Sequence, residues 1–160
     1  MKKLFLVLIL AVSASSIAQS VAKEDVEIIQ SVYGKSKADL VKNYMGLSGA
    51  QATEFSTVYD QYEAERKILG EKKIQIINDY ANNYSNLTDE KADELAQANL
   101  KNNMDFDKLH SKYYSKCKKV IGAKNAAKFM QLEIYLQTTI ISEIQNSIPF
   151  IGEMDTLKAN

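Results

Sequence analysis

His110 and Cys117 are the single histidine and the single cysteine of the chain, and they stand seven residues apart. On a helix that is two turns, so both side chains share a face, and imidazole with thiolate is a zinc-ligating pair. A closed zinc centre needs four ligands, and no spaced cluster elsewhere supplies the other two, so no metal site is expected. Lys116, Lys118 and Lys119 surround Cys117 and could lower the pKa of a thiol, but nothing in the sequence marks a cleft around it. There is no Gly-x-Ser-x-Gly elbow and no glycine-rich loop to cradle phosphate. Glu63, Glu65 and Arg66 are spaced to pair along or between helices, which reads as structure rather than acid-base work. The expectation is a protein that is not an enzyme, with no catalytic, cofactor-binding or metal-ligating residues and no cofactor.

The elements carrying these residues are helices nearly throughout. Proline occurs once, at Pro149, glycine is sparse, and Lys, Glu, Ala, Leu and Gln abound. Breaks are expected at 45–49, 82–88, 121–124 and from Ser147 onward. They delimit four helices, at about 24–44, 49–84, 89–120 and 125–146. The first has a weak point at Gly34. The second bears Phe55, Tyr59, Tyr62, Leu69, Ile76 and Tyr80 at steps of three, four or seven, one stripe down a helix of about 50 Å. The third places Leu95, Phe106, Leu109, Tyr113, Cys117 and Val120 together, and the fourth is apolar around much of its girth. Long helices joined by short turns run antiparallel, giving an all-α, elongated helical hairpin or bundle. Arg66, Lys73 and Asn102 interrupt the stripes, so the core is thin and a homodimer is the expected remedy.

The N-terminus is set apart from this fold. Lys2 and Lys3, an apolar run from Leu4 to Val12 and small residues up to Ala22 have the order of a secretory signal peptide, with cleavage after Ala22 or after Ala18. The run is too short for the roughly 20 residues of a membrane span, and no cysteine at the cleavage site invites a lipid anchor. The expected layout is a signal peptide at 1–22, one helical domain at 23–150 and a flexible tail at 151–160, in an exported protein without stable membrane insertion. Cleavage removes two lysines and no acid, leaving 18 basic against 20 acidic residues. That balance argues against nucleic acid as a partner. The lone Cys117 excludes an internal disulfide; it is either buried or free to link two chains.

Two phrases resemble each other across forty residues, "GLSGAQATEF" at 46–55 and "NLTDEKADEL" at 86–95. Ser48 with Gln51 reads as a capping box, satisfying two otherwise unpaired backbone donors at a helix start. Thr88 caps the next helix, where Asp89 and Glu90 complement the positive end of the dipole, although Lys91 replaces the Gln of a full box. Leu47 and Leu87 precede these caps. Nine tyrosines and no tryptophan give amphipathic side chains suited to half-wet binding faces. Tyr59, Tyr62, Tyr80, Tyr113, Tyr135, Ile140 and Ile144 are the expected binding or dimer surface.

The pair Leu47-Ser48-Gly49-Ala50-Gln51 and Leu87-Thr88-Asp89-Glu90-Lys91 resembles the doubled Leu-Thr-x-x-Gln motif of the Spy/CpxP-like periplasmic proteins. Phe55-x-x-x-Tyr59-x-x-Tyr62-Glu63-x-Glu65-Arg66, "KFMQLE" at 128–133 and "NSIPF" at 146–150 are similar to segments of Bacteroidetes-type members, so the likeness runs from about Met45 to Phe150. The resemblance implies a cradle-shaped helical dimer, structural roles for the motif residues, and one of two functions. The first is an ATP-independent chaperone (holdase) that binds partly unfolded envelope proteins. The alternative is an envelope-stress protein that acts on one membrane-bound regulatory partner.

Overall fold

A computed structural model of the chain describes residues 28–29, 32–146 and 151. The expected signal peptide lies outside the described residues, as does the expected tail apart from Ile151. All regular structure among the described residues is helical: α1 (Lys37–Met45), α2 (Gly49–Asn83), a 3-10 turn (Tyr84–Asn86) and α3 (Asp89–Gln145). None of these helices is long and apolar enough to cross a membrane.

Among the described residues there are three α-helices, where the sequence led us to expect four. The expected third and fourth are two arms of α3, divided by a single non-helical residue, Gly122, at φ 78° and ψ 163°. Only glycine takes that conformation without a Cβ penalty. The division is nevertheless a reversal of direction. Tyr62 of α2 touches both Tyr113, before Gly122, and Phe129, after it, with ring centroids 5.3 and 5.4 Å apart. The two arms therefore lie side by side on α2.

Polar contacts fix the register. Asp79 meets Lys91 at 2.7 Å, the Leu69 carbonyl accepts from Asn102 at 3.0 Å, and Gln61 accepts from Lys116 at 3.0 Å, so α2 and the first arm are antiparallel. The second arm returns along α2 from Phe129, beside Phe55, towards Gln145, which shares a groove with Ile76 and Tyr80. The N-terminal segment covers the second arm in the opposite sense: Met45 O accepts from Lys128 and Tyr33 Oη lies 3.3 Å from Thr139 Oγ1. The expected first helix is broken in its described part at Gly34–Ser36, where Gly34 has φ 65° and Ser36 caps α1.

The core is aromatic in the middle, with Phe55, Tyr59, Tyr62, Phe106, Tyr113 and Phe129, and aliphatic above it, where Ile29 meets Leu136 and Ile140. Arg66, Lys73 and Asn102, which interrupt the stripes, are buried with them. Cys117 is fully buried among these side chains, and burial pushes its thiol up to about 11, so it is neither exposed nor activated.

The two similar phrases behave differently. Thr88 Oγ1 accepts from Lys91 N at 3.3 Å, a formed cap, and Lys91 uses its side chain to reach back to Asp79 across the turn. Ser48 occupies the N-cap position of α2 but makes no side-chain cap bond, so the expected box with Gln51 does not form. Gly49 follows it at φ 59°, so the first residue of α2 departs from helical geometry. Thr88→Ala is expected to cost about 0.5–2 kcal/mol, and Ser48→Ala no more than about 0.3 kcal/mol. Equal losses in thermal unfolding followed by circular dichroism would contradict this assignment.

Candidate functional site

Two features stand apart from ordinary core packing. The first is a cluster of buried charge. Lys37, in the first turn of α1, donates to Glu63 of α2 and, at 2.6 Å, to Glu133 of the second arm. Arg66 Nε completes the group at 2.9 Å from Glu63. Burial pushes the Glu63 carboxyl up, but the neighbouring Lys37 and Arg66 cations outweigh it and hold the group below the usual carboxylate value. Glu133 has no exposed surface; there burial wins over Lys37 and Arg66, helped by the Glu63 charge, and the carboxyl is raised. Burial and the Glu133 charge likewise raise the Tyr62 phenol.

Tyr62 Oη, Glu133 Oε1 and His110 Nε2 are buried without a well-formed hydrogen bond. His110 is depressed by burial, with Asp107 opposing and Lys37 adding to the effect, so it stays neutral at physiological pH. It stacks near Tyr62 and Phe106 while Cys117 is buried in the core, and among the described residues no three His, Cys, Asp or Glu side chains gather to hold a metal. Further along α2, Lys73 is held by the amide oxygens of Asn99 and Asn103, and burial lowers its pKa. Buried polar and charged groups paired across elements in this way can fix the register of packed helices.

The second feature is an open-sided apolar groove of about 410 Å³ at the end of the bundle where α2 turns into α3. Ile76, Ile77 and Tyr80 of α2, Leu87 of the turn and Leu95 of the first arm form its walls, with Ile151 and Gln145 at its edge. The turn makes the groove: the Thr88 cap and the Asp79–Lys91 bridge hold α2 and the first arm together at their junction.

The expected client surface divides accordingly. Tyr80 lines the groove and Tyr135 is exposed on the outer side of the second arm, at 60%. Tyr59, Tyr62, Tyr113 and Ile140 are interior, and Ile144 packs beside Leu136 and Ile140, partly buried. These five do not form an open surface, because the N-terminal segment and the second arm cover the stripe that periodicity reveals. Leu47 packs on the core, and Leu87, expected only as punctuation, lines the groove. Periodicity alone missed the Lys37–Glu133 pair. The signal was present: Glu133 is the one charged residue between Lys128 and Glu143. No family model, no curated protein and no solved structure matches the chain.

Proposed function

We propose that this chain is a nucleotide-independent holdase of the periplasm, similar in role to the Spy/CpxP-like proteins, that holds apolar segments of partly unfolded envelope proteins. The observation that carries this reading is the open groove walled by Ile76, Ile77, Tyr80, Leu87 and Leu95. An apolar wall beside exposed Lys and Glu can bury a client's side chains transiently while keeping the complex in solution. The N-terminal sequence supports export, and the exposed Ile134 and Tyr135 offer a face on which a second copy can pack into a cradle-like dimer. The alternative, an envelope-stress protein devoted to one regulatory partner, uses the same groove for a single saturable ligand.

The test is suppression of aggregation by residues 23–160, titrated to stoichiometric amounts against several chemically unfolded clients without nucleotide. Dose-dependent protection is expected, and Ile76→Lys, which places a charge in the groove wall, is expected to weaken it about tenfold or more with little change in melting temperature. No protection of any client would reject the general holdase and leave the dedicated partner.

A further inference from the structure

The N-terminal segment has the construction of a removable part. α1 is nine residues long, too short to stay helical by itself in water. Gly34 and Gly46, at φ 65° and 61°, bracket it, and a Cβ at either would touch nothing, so it is backbone freedom and not packing that these two positions require. Its apolar side lies on the second arm: Val41 and Met45 join the cluster of Phe129 and Met130, while Ile29, Tyr33 and Leu40 meet Leu136 and Ile140.

Lys37 is out of place by the helix's own electrostatics, since a cation in the first turn opposes the dipole. Its position is explained by what it faces: Glu63 and Arg66 on α2, Glu133 on the second arm and the neutral His110 on the first. Lys37, Leu40, Val41 and Met45 follow steps of three, four and eight, a cation one turn ahead of an apolar pair on a single face. Beneath them is a matching surface, two carboxylates beside an apolar strip from Phe129 to Ile144. Gln145, the next residue, already edges the open groove.

We infer that the described N-terminal segment, residues 28–29 and 32–45, is an internal stand-in for a partner: an amphipathic helical segment with a Lys or Arg one turn ahead of an apolar pair displaces it and sets its cation between Glu63 and Glu133. The groove is then the open end of a longer trough that the stand-in keeps shut. This inference rests on the reading of the chain as a polypeptide binder and narrows its ligand from any apolar segment to a basic amphipathic one.

A fluorescent peptide with the sequence of residues 28–45 tests it in trans, by anisotropy against the full chain. A covered surface weakens apparent affinity by the fraction of molecules in which it is open. Lys37→Gln, which loosens the anchor, and Val41→Ser, which loosens the apolar contact and leaves both carboxylates alone, are each expected to bind the peptide at least about tenfold more tightly than the unaltered chain. A peptide carrying Lys37→Glu is expected to lose that binding. Binding no better than a scrambled peptide by both variants overturns the inference. So does failure of both to fold, because a displaceable segment is not what holds the bundle together. Aggregation assays play no part in these readouts, so a failed holdase test and a failed stand-in test remain distinguishable.

Discussion

Phe129→Ala is expected to lower the unfolding free energy by about 3–5 kcal/mol, the usual range for deleting a buried aromatic ring. The ring is fully buried and its centroid lies 5.1, 6.0 and 5.4 Å from those of Phe55, Tyr59 and Tyr62, so one truncation removes three aromatic contacts at once. Collapse around the void is hindered from both sides. Gly122 fixes where the second arm begins, and the Lys37–Glu133 pair fixes its height four residues beyond the ring. Urea unfolding should show a lower midpoint with an unchanged slope, because the loss is in the folded state and not in the surface exposed on unfolding. A loss below about 1 kcal/mol would mean that the two arms do not share this core. Phe129→Leu, which keeps most of the volume, should lose clearly less.

The reach of sequence reasoning follows from the range of the physics involved. Starts of α2 and α3 at Gly49 and Asp89 are local events, written in breaks and cap residues, and they fall where the pattern places them. The reversal near Gly122 is also local, and the break expected at 121–124 contains it. Burial of the tyrosines is different in kind. Spacing tells which residues share a face, whereas the covering of Tyr62 depends on Tyr113 and Phe129 arriving from two other segments. Lys37 and Glu133 are 96 residues apart, and no short window joins them. Ser48 shows the remaining gap: a cap pattern was legible, but the hydroxyl makes no cap bond, and the left-handed turn at Gly49 beside it is not written in the spacing. The groove was readable only in pieces, since Ile76, Tyr80, Leu87 and Leu95 each had a role in a stripe or a cap before their walls came together.

Lys37→Met should be the most damaging loss of a single charge. It strands Glu133, which has no exposed surface, and removing one partner of a buried pair typically costs about 3–5 kcal/mol because the remaining charge is left uncompensated. The chain has two ways to limit that cost: it can protonate Glu133, or it can lift residues 28–45 and let water in. The first is visible in the pH dependence. A carboxyl raised by burial favours the folded state below its unfolded value and disfavours it as pH climbs through the raised one, and Glu133 is already raised with Lys37 present. Glu63, held low by Lys37 and Arg66, works in the opposite sense and loses its contribution as pH falls. In the unaltered chain the two oppose each other. Without Lys37 the Glu133 carboxyl rises further, so the variant's deficit should be largest at about pH 7–8 and shrink towards about pH 5. Lys37→Met with Glu133→Gln should recover more than half of the loss at the higher pH, where Glu133→Gln makes the protonated form permanent. Additive losses in that double-mutant cycle would show that Lys37 and Glu133 are not coupled. Recovery without any pH dependence in the single variant would instead mean that the lifting of residues 28–45, and not a proton, relieves the stranded charge.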